Sequence, residues 1–235
     1  MSTPAPIVVF DLDGTLVDTA PDLIETLNTI LTSERLPAIA FEIARPMIGG
    51  GVRPLLERAM AESGKHPGEA AMDGLFARFI EHYQAHIAVH SRPYPGVVEA
   101  LDQLGAQGFT LAVCTNKYEA LSLRLLEALD LTSRFAAICG QDTFPMKKPD
   151  PEVLRLTIAR AGGDLGRAVM VGDSVTDLRV ARAAGIPVIG VDFGYTAIPM
   201  AELGPDRLIG HFDVLPAAVQ DLLPDTYPIA TGARK

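Results

Sequence analysis

An α/β protein, with a parallel sheet interrupted by an all-helical insert, is what this 235-residue sequence predicts on three observations. From Val97 onward, short apolar runs alternate with helical patterns, as in right-handed βαβ units. A separate apolar run, Ile7-Val8-Val9-Phe10, stands near the start and has to join the same sheet. Between about Ala20 and Ser91 apolar residues recur at helical spacing and nothing reads as a strand. The expected division is a core of residues 1–18 and 92–235 and an inserted helical unit of residues 19–91.

Ile7 to Phe10 is too short for a helix and rich in β-branched and aromatic residues, so it is expected to be a buried strand. Pro21 suits the first turn of a helix bearing Leu23, Leu27, Ile30 and Leu31. Ile43 to Ile48 leads into Gly49-Gly50-Gly51, and Val52 to Met60 resumes helical spacing. Leu75, Phe79, His82, Tyr83 and His86 continue it, until Pro93-Tyr94-Pro95-Gly96 closes the insert. Helix 97–104 then precedes strand 110–114, helix 120–129 precedes strand 136–139, and helix 151–161 precedes strand 168–171. Helix 176–184 precedes strand 188–191, Leu208-Ile209 is a candidate last strand, and the tail from Asp225 to Lys235 is expected to be loose.

Composition narrows the function. Hydrophobic residues make up 48% and charged ones 21%, ordinary for a globular protein, and the net charge of −9 argues against nucleic acid and anionic membranes as partners. No apolar run approaches the roughly 20 residues that span a bilayer. No signal peptide is read at the N-terminus. Cys114 and Cys139 lack metal-site or redox spacing and are expected to be free thiols. The expectation is a cytoplasmic protein acting as a monomer or homodimer.

The chemistry concentrates after the strands. Asp11 and Asp13 leave the end of the first strand on one side, and two carboxylates that close call for a cation between them. An Asx-rich turn accounts for the same residues in isolation. Three further groups follow other strands: Thr115-Asn116-Lys117, Lys147-Lys148-Pro149-Asp150 and Gly172-Asp173-Ser174-Val175-Thr176-Asp177. The C-terminal ends of parallel strands share one edge, so these groups converge. Asp11, Asp13 and Asp173 offer hard oxygens suited to Mg²⁺, Thr115 and Asn116 can bind phosphoryl oxygens, and a lysine supplies positive charge. No P-loop is present.

Together these motifs resemble the haloacid dehalogenase-like hydrolase superfamily: DxDGTL at Asp11 to Leu16, the Thr115-Asn116 pair, Lys148 before proline, and GDSxxD from Gly172 to Asp177. Within it the sequence is most similar to the phosphoglycolate phosphatase family. The further matching stretches are Gly49 to Leu55, Tyr94 to Val97, Ala181 to Gly185 and Gly194-Tyr195. The resemblance implies a Rossmann-like core with a helical cap and a Mg²⁺-dependent phosphatase acting on a small phosphorylated metabolite, with 2-phosphoglycolate as the expected substrate. It implies Asp11 as the nucleophile and Asp13 as the proton donor and acceptor. Asp11, the backbone carbonyl of Asp13, and Asp173 would hold the metal. Asp177 would orient a metal-bound water or Lys148. Thr115, the Asn116 amide and Lys148 would bind the phosphoryl group, and Lys147 is read as a solvated neighbour. The second acid, Asp13, sets the chain apart from the dehalogenases and phosphonate-cleaving relatives, leaving phosphatase or phosphomutase.

The insert is expected to choose the substrate. Gly50 and Gly51 can present N–H groups to a substrate carboxylate with Arg53 close by, and a hinge bearing a surface arginine is the alternative. His82, His86 and His90 repeat every four residues, which reads as a packing or solvated face rather than a metal site. Lys117 is left between phosphate contact and solvent. Rival functions are a phosphatase for a sugar phosphate, nucleotide or pyrophosphate, a hexose phosphomutase, and a non-catalytic phosphate-binding protein.

Overall fold

The computed structural model describes residues 4–223, so the expected loose tail from Asp225 lies outside the described residues. Strand β1 (Ala5–Phe10) runs through the middle of a six-stranded sheet, and Ile7, Val8, Val9 and Phe10 are fully buried. A strand covered on both faces needs apolar residues at every position, which is why this run shows no polar alternation. Next come β2 (Val17–Asp18) and, much later, β3 (Arg92–Pro93), which pair antiparallel as a short ribbon. Two residues per strand carry no period, so the ribbon was not legible in the sequence.

Between the ribbon strands lie only helices: α1 (Ala20–Ser33), α2 (Phe41–Ala44), α3 (Val52–Glu62) and α4 (Glu69–Ala85). A 3₁₀ turn at Arg45–Met47 follows α2, where Pro46 interrupts the expected Ile43–Ile48 helix. Beyond the ribbon the β/α rhythm follows the expected order. It comprises α5 (Val97–Ala106), β4 (Thr110–Cys114), α6 (Glu119–Ala128), β5 (Ala137–Cys139), α7 (Pro151–Arg160), β6 (Gly163–Gly172), α8 (Val175–Ala184) and β7 (Val188–Val191). The described chain closes with α9 (Met200–Leu203), β8 (Arg207–Ile209) and α10 (Leu215–Leu222).

All strand pairs of the large sheet are parallel, in the order β5-β4-β1-β6-β7-β8. The chain leaves β1 toward one edge and returns to build the other, so β1, β4 and β6 flank the switch point where such sheets bind ligands. Alternate residues feed two cores. Val8, Phe10, Val113, Ile138 and Val171 pack in a core continuous with the inserted helices, while Ile7, Val9, Ala112, Cys114 and Met170 pack with α7 and α8. This is the predicted α/β, Rossmann-like arrangement. Among the described residues no helix is long and apolar enough to cross a membrane.

Some details depart from expectation. Strand β6 begins five residues earlier than the 168–171 run, with a register shift opposite Ala5 and Ile7. Helix α10 has no counterpart in the sequence reading, because two turns give too few apolar repeats; it buries Leu215 and Val219 in the core. Helix α4 stops at Ala85, so His90 is off the histidine face, while His82 and His86 stack at 4.3 Å. Cys114 and Cys139 sit opposite each other on β4 and β5 as free, buried thiols, as expected. Burial pushes the Cys114 thiol up to about 12, which makes it inert.

Candidate active site

The first strand delivers Asp11. Its N–H donates to the Val171 carbonyl at 2.9 Å, so the residue is still held by the ladder between β1 and β6 as its side chain clears the sheet. Leu12 N–H donates to Asp11 Oδ1 at 2.7 Å. The loop after β5 brings Lys148 to the same point. Its Nζ lies 3.0 Å from Asp11 Oδ1 and donates to Asp177 Oδ1 at 2.6 Å. Burial works against the Lys148 charge, but Asp11 and Asp177 outweigh it and hold the ammonium above the ordinary lysine range. The neighbouring Lys147 is exposed.

Asp173 and Asp177 come from the junction of β6 and α8. Ser174 caps α8 with a reciprocal pair: its hydroxyl accepts from Asp177 N–H, and Asp177 Oδ2 accepts from Ser174 N–H. The cap orients Asp177 toward Lys148. Asp173 accepts from Tyr195 N–H at 2.7 Å and Thr15 Oγ1 at 3.2 Å.

Oxygen atoms of Asp11, Asp173 and Asp177 lie within 4.8 Å of one another. Burial, with Asp177 and Asp11 alongside, pushes the Asp173 carboxyl up to about 8. Burial and Asp177 raise Asp11 to about 6 although Lys148 opposes them. Crowded, desolvated carboxylates with raised affinity for protons are a fitting place for a hard cation, and this donor set could hold one. The Asp13 side chain stands outside this cluster.

Thr115 and Asn116 follow β4. The Thr115 hydroxyl accepts from Lys117 N–H at 3.2 Å. Asn116 Nδ2 donates to the Lys148 carbonyl at 3.1 Å, which ties the second and third motifs together, while its buried Oδ1 has no partner. Asp11, Asp13, Thr115, Asn116, Lys148 and Asp173 line a cavity of about 430 Å³ whose opposite wall is Gly49 to Val52, Leu55 and Arg58 of the insert.

Two sequence readings need correction. Arg53 is turned away from the cavity: it forms an ion pair with Asp73 on α4 and lies 5.7 Å from the Phe76 ring centroid. The arginine that lines the cavity is Arg58, one and a half turns further along α3, where it donates to the Met47 and Gly49 carbonyls. Lys117 is not solvated, although it lines the cavity. Its side chain is 4% exposed, with Nζ 2.9 Å from Asp13 Oδ1. The reading also passed over Tyr195 as a joint. Its hydroxyl accepts from the Thr19 and Ala20 N–H groups and donates to Asp18, joining the start of α1 to the Asp173 loop. The Gly194-Tyr195 stretch was the only signal for it.

A family model described as haloacid dehalogenase-like hydrolase matches residues 8–191, the stretch that holds all of these acids and lysines. The chain belongs to the haloacid dehalogenase-like hydrolase family. Among relatives of this haloacid dehalogenase-like protein is a phosphoglycolate phosphatase of Mesorhizobium japonicum, 52% identical over 93% of this chain and 96% of its own. Another, from Agrobacterium fabrum, is 48% identical over 93% and 94%. A crystal structure described as a predicted phosphoglycolate phosphatase from Haemophilus somnus superposes with a TM-score of 0.86 at 32% identity, over 93% of this chain and 99% of that one.

Proposed function

We propose that this family member is a Mg²⁺-dependent phosphatase that hydrolyses 2-phosphoglycolate to glycolate and inorganic phosphate through an aspartyl-phosphate. What supports the reading is the Lys148 ammonium held 3.0 Å from Asp11 at the floor of the cavity, in a chain 52% identical to a phosphoglycolate phosphatase. The Asp11 carboxylate attacks phosphorus, the bond to the leaving oxygen breaks, and Asp13 gives that oxygen a proton. Water then attacks phosphorus, Asp13 takes a proton from it, and cleavage of the bond to Asp11 frees phosphate. Lys148, anchored by Asp177, screens the nucleophile from the dianionic ester. The Thr115 hydroxyl and the Asn116 amide receive phosphoryl oxygens. Asp11, the Asp13 carbonyl and Asp173 would hold Mg²⁺, which when bound would supply the remaining positive charge at the phosphoryl group.

Residues 19–91 serve as the cap over this floor. Gly50 and Gly51, which line the cavity, offer N–H groups to the substrate carboxylate in this reading. A panel of phosphate esters assayed with and without Mg²⁺ tests the assignment. It predicts phosphate release that needs the metal and is fastest with 2-phosphoglycolate, and loss of turnover in Asp11→Asn. Equal rates on 2-phosphoglycolate and p-nitrophenyl phosphate would sink the substrate. Faster turnover of a sugar phosphate, nucleotide or pyrophosphate, or sugar phosphate isomerisation without phosphate release, would replace it.

A further inference from the structure

Lys117 is the buried cation that this reaction leaves without a task. Its Nζ lies 2.9 Å from Asp13 Oδ1 and donates to the Tyr83 hydroxyl at 2.9 Å, with the Tyr83 ring centroid 4.6 Å away. Tyr83 is fully buried and belongs to α4, so one ammonium joins the sheet edge, Asp13 and the inserted helices. Burial works against the Lys117 charge, but Asp13 and Tyr83 outweigh it and keep the side chain an ammonium. The Thr19 hydroxyl donates to the same Asp13 oxygen at 2.8 Å. An oxygen that already accepts an N⁺–H and an O–H hydrogen bond is a poor place for a proton, which leaves Oδ2 to carry it.

We propose that Lys117 is a positioning residue for proton transfer, holding Asp13 Oδ1 so that Oδ2 faces the leaving oxygen, and that Tyr83 makes this hold depend on the seating of the inserted helices. The inference rests on the reading of Asp13 as proton donor and acceptor. In the first half-reaction the Oδ2 proton passes to the leaving alkoxide as its bond to phosphorus breaks. In the second, Oδ2 takes one proton from the attacking water. Lys117 keeps its three protons throughout.

The test compares 2-phosphoglycolate, whose alkoxide needs a proton to leave, with p-nitrophenyl phosphate, whose phenolate leaves without one. Read as release of the alcohol in the first turnover, before the second half-reaction that both esters share, Lys117→Met is expected to slow the alkyl ester about 100-fold and the aryl ester no more than about tenfold. Tyr83→Phe removes only the hydroxyl and should show the same asymmetry to a smaller degree, and Lys117→Arg should recover part of the loss. Thermal denaturation identifies variants that fold, and Tyr83→Phe decides the matter if Lys117→Met does not.

Equal losses on both esters overturn the proposal. A raised KM for 2-phosphoglycolate with kcat kept also overturns it, by making Lys117 a substrate ligand. Asp13→Asn separates the two readings. Asymmetry there, with none in the Lys117 and Tyr83 variants, removes only the positioning role. Equal losses in Asp13→Asn on both esters remove the acid–base reading and the proposal with it.

Discussion

Gly194 passes so close to Asp173 that a Cβ on it would lie 2.1 Å from the Asp173 Cβ. Gly14, at φ +82°, crowds the same carboxylate from the other side, with a Cβ position 2.5 Å from Asp173 Oδ2. Asp173 is therefore packed between two backbone segments as well as hydrogen-bonded, which is how a buried acid keeps a single orientation. Gly194→Ala is expected to cost about 1–3 kcal/mol by overpacking and to blunt the stabilisation by Mg²⁺, both read by thermal denaturation with and without the metal. Unchanged Mg²⁺ stabilisation would mean that this contact does not set the Asp173 geometry. At this scale, motif spacing picked out Asp11, Lys148 and Asp173, because each follows directly on a strand or lies in the loop beyond one. The surroundings of Lys117 and Arg53 were not legible. Tyr83 and Asp73, which claim those two side chains, are 34 and 20 residues away, on another helix.

Helix α1 shows how an element is anchored by one buried acid. Asp22, 2% exposed in its first turn, accepts from His90 N–H at 2.9 Å, Ser91 N–H at 2.8 Å and Ser91 Oγ at 2.6 Å. The chain thus leaves the core into α1 and returns beside it, with the β2–β3 ribbon closing the same joint. Losing Asp22 leaves those donors unsatisfied, so Asp22→Ala is expected to cost about 3 kcal/mol in chemical denaturation. Glu25→Ala, which removes only the exposed contact with His90 at 3.6 Å, should be nearly silent. Similar losses in both would show that the joint is not held by Asp22. The apolar pattern placed the longer helices and strands within a few residues, since repeated burial on one face writes a period into the sequence. It had no purchase on the ribbon or α10, where the elements are shorter than the period needs.

Over the whole molecule, the order of strands turns separated motifs into one acidic floor, and that crowding has a pH signature. The Asp173 carboxyl is held at about 8 in the fold against an ordinary value of 3.8, and Asp11 at about 6. The folded state then keeps protons that the unfolded chain has released, so these groups favour folding at low pH and lose that contribution as pH rises from about 4 to 8. Without metal, stability due to this cluster should fall across that range. Added Mg²⁺ should raise Tm more at pH 8 than at pH 5, because it binds the ionised carboxylates. An equal rise at both values would count against metal binding at these acids.

The opening Asp11-Leu12-Asp13-Gly14-Thr15-Leu16 stretch separates the two kinds of information. Apolar runs and the loops behind them determined by themselves that this chain is an α/β protein with a helical insert and that its polar groups meet at one sheet edge. Parallel strands leave little other choice. Which neighbour each polar side chain chose was decided only by tertiary structure: Lys148 for Asp11 and Asp177, Lys117 for Asp13 and Tyr83, Arg53 for Asp73. Backbone pattern follows from local periodicity. A charged side chain's partner depends on the packing of distant elements, and no local spacing records it.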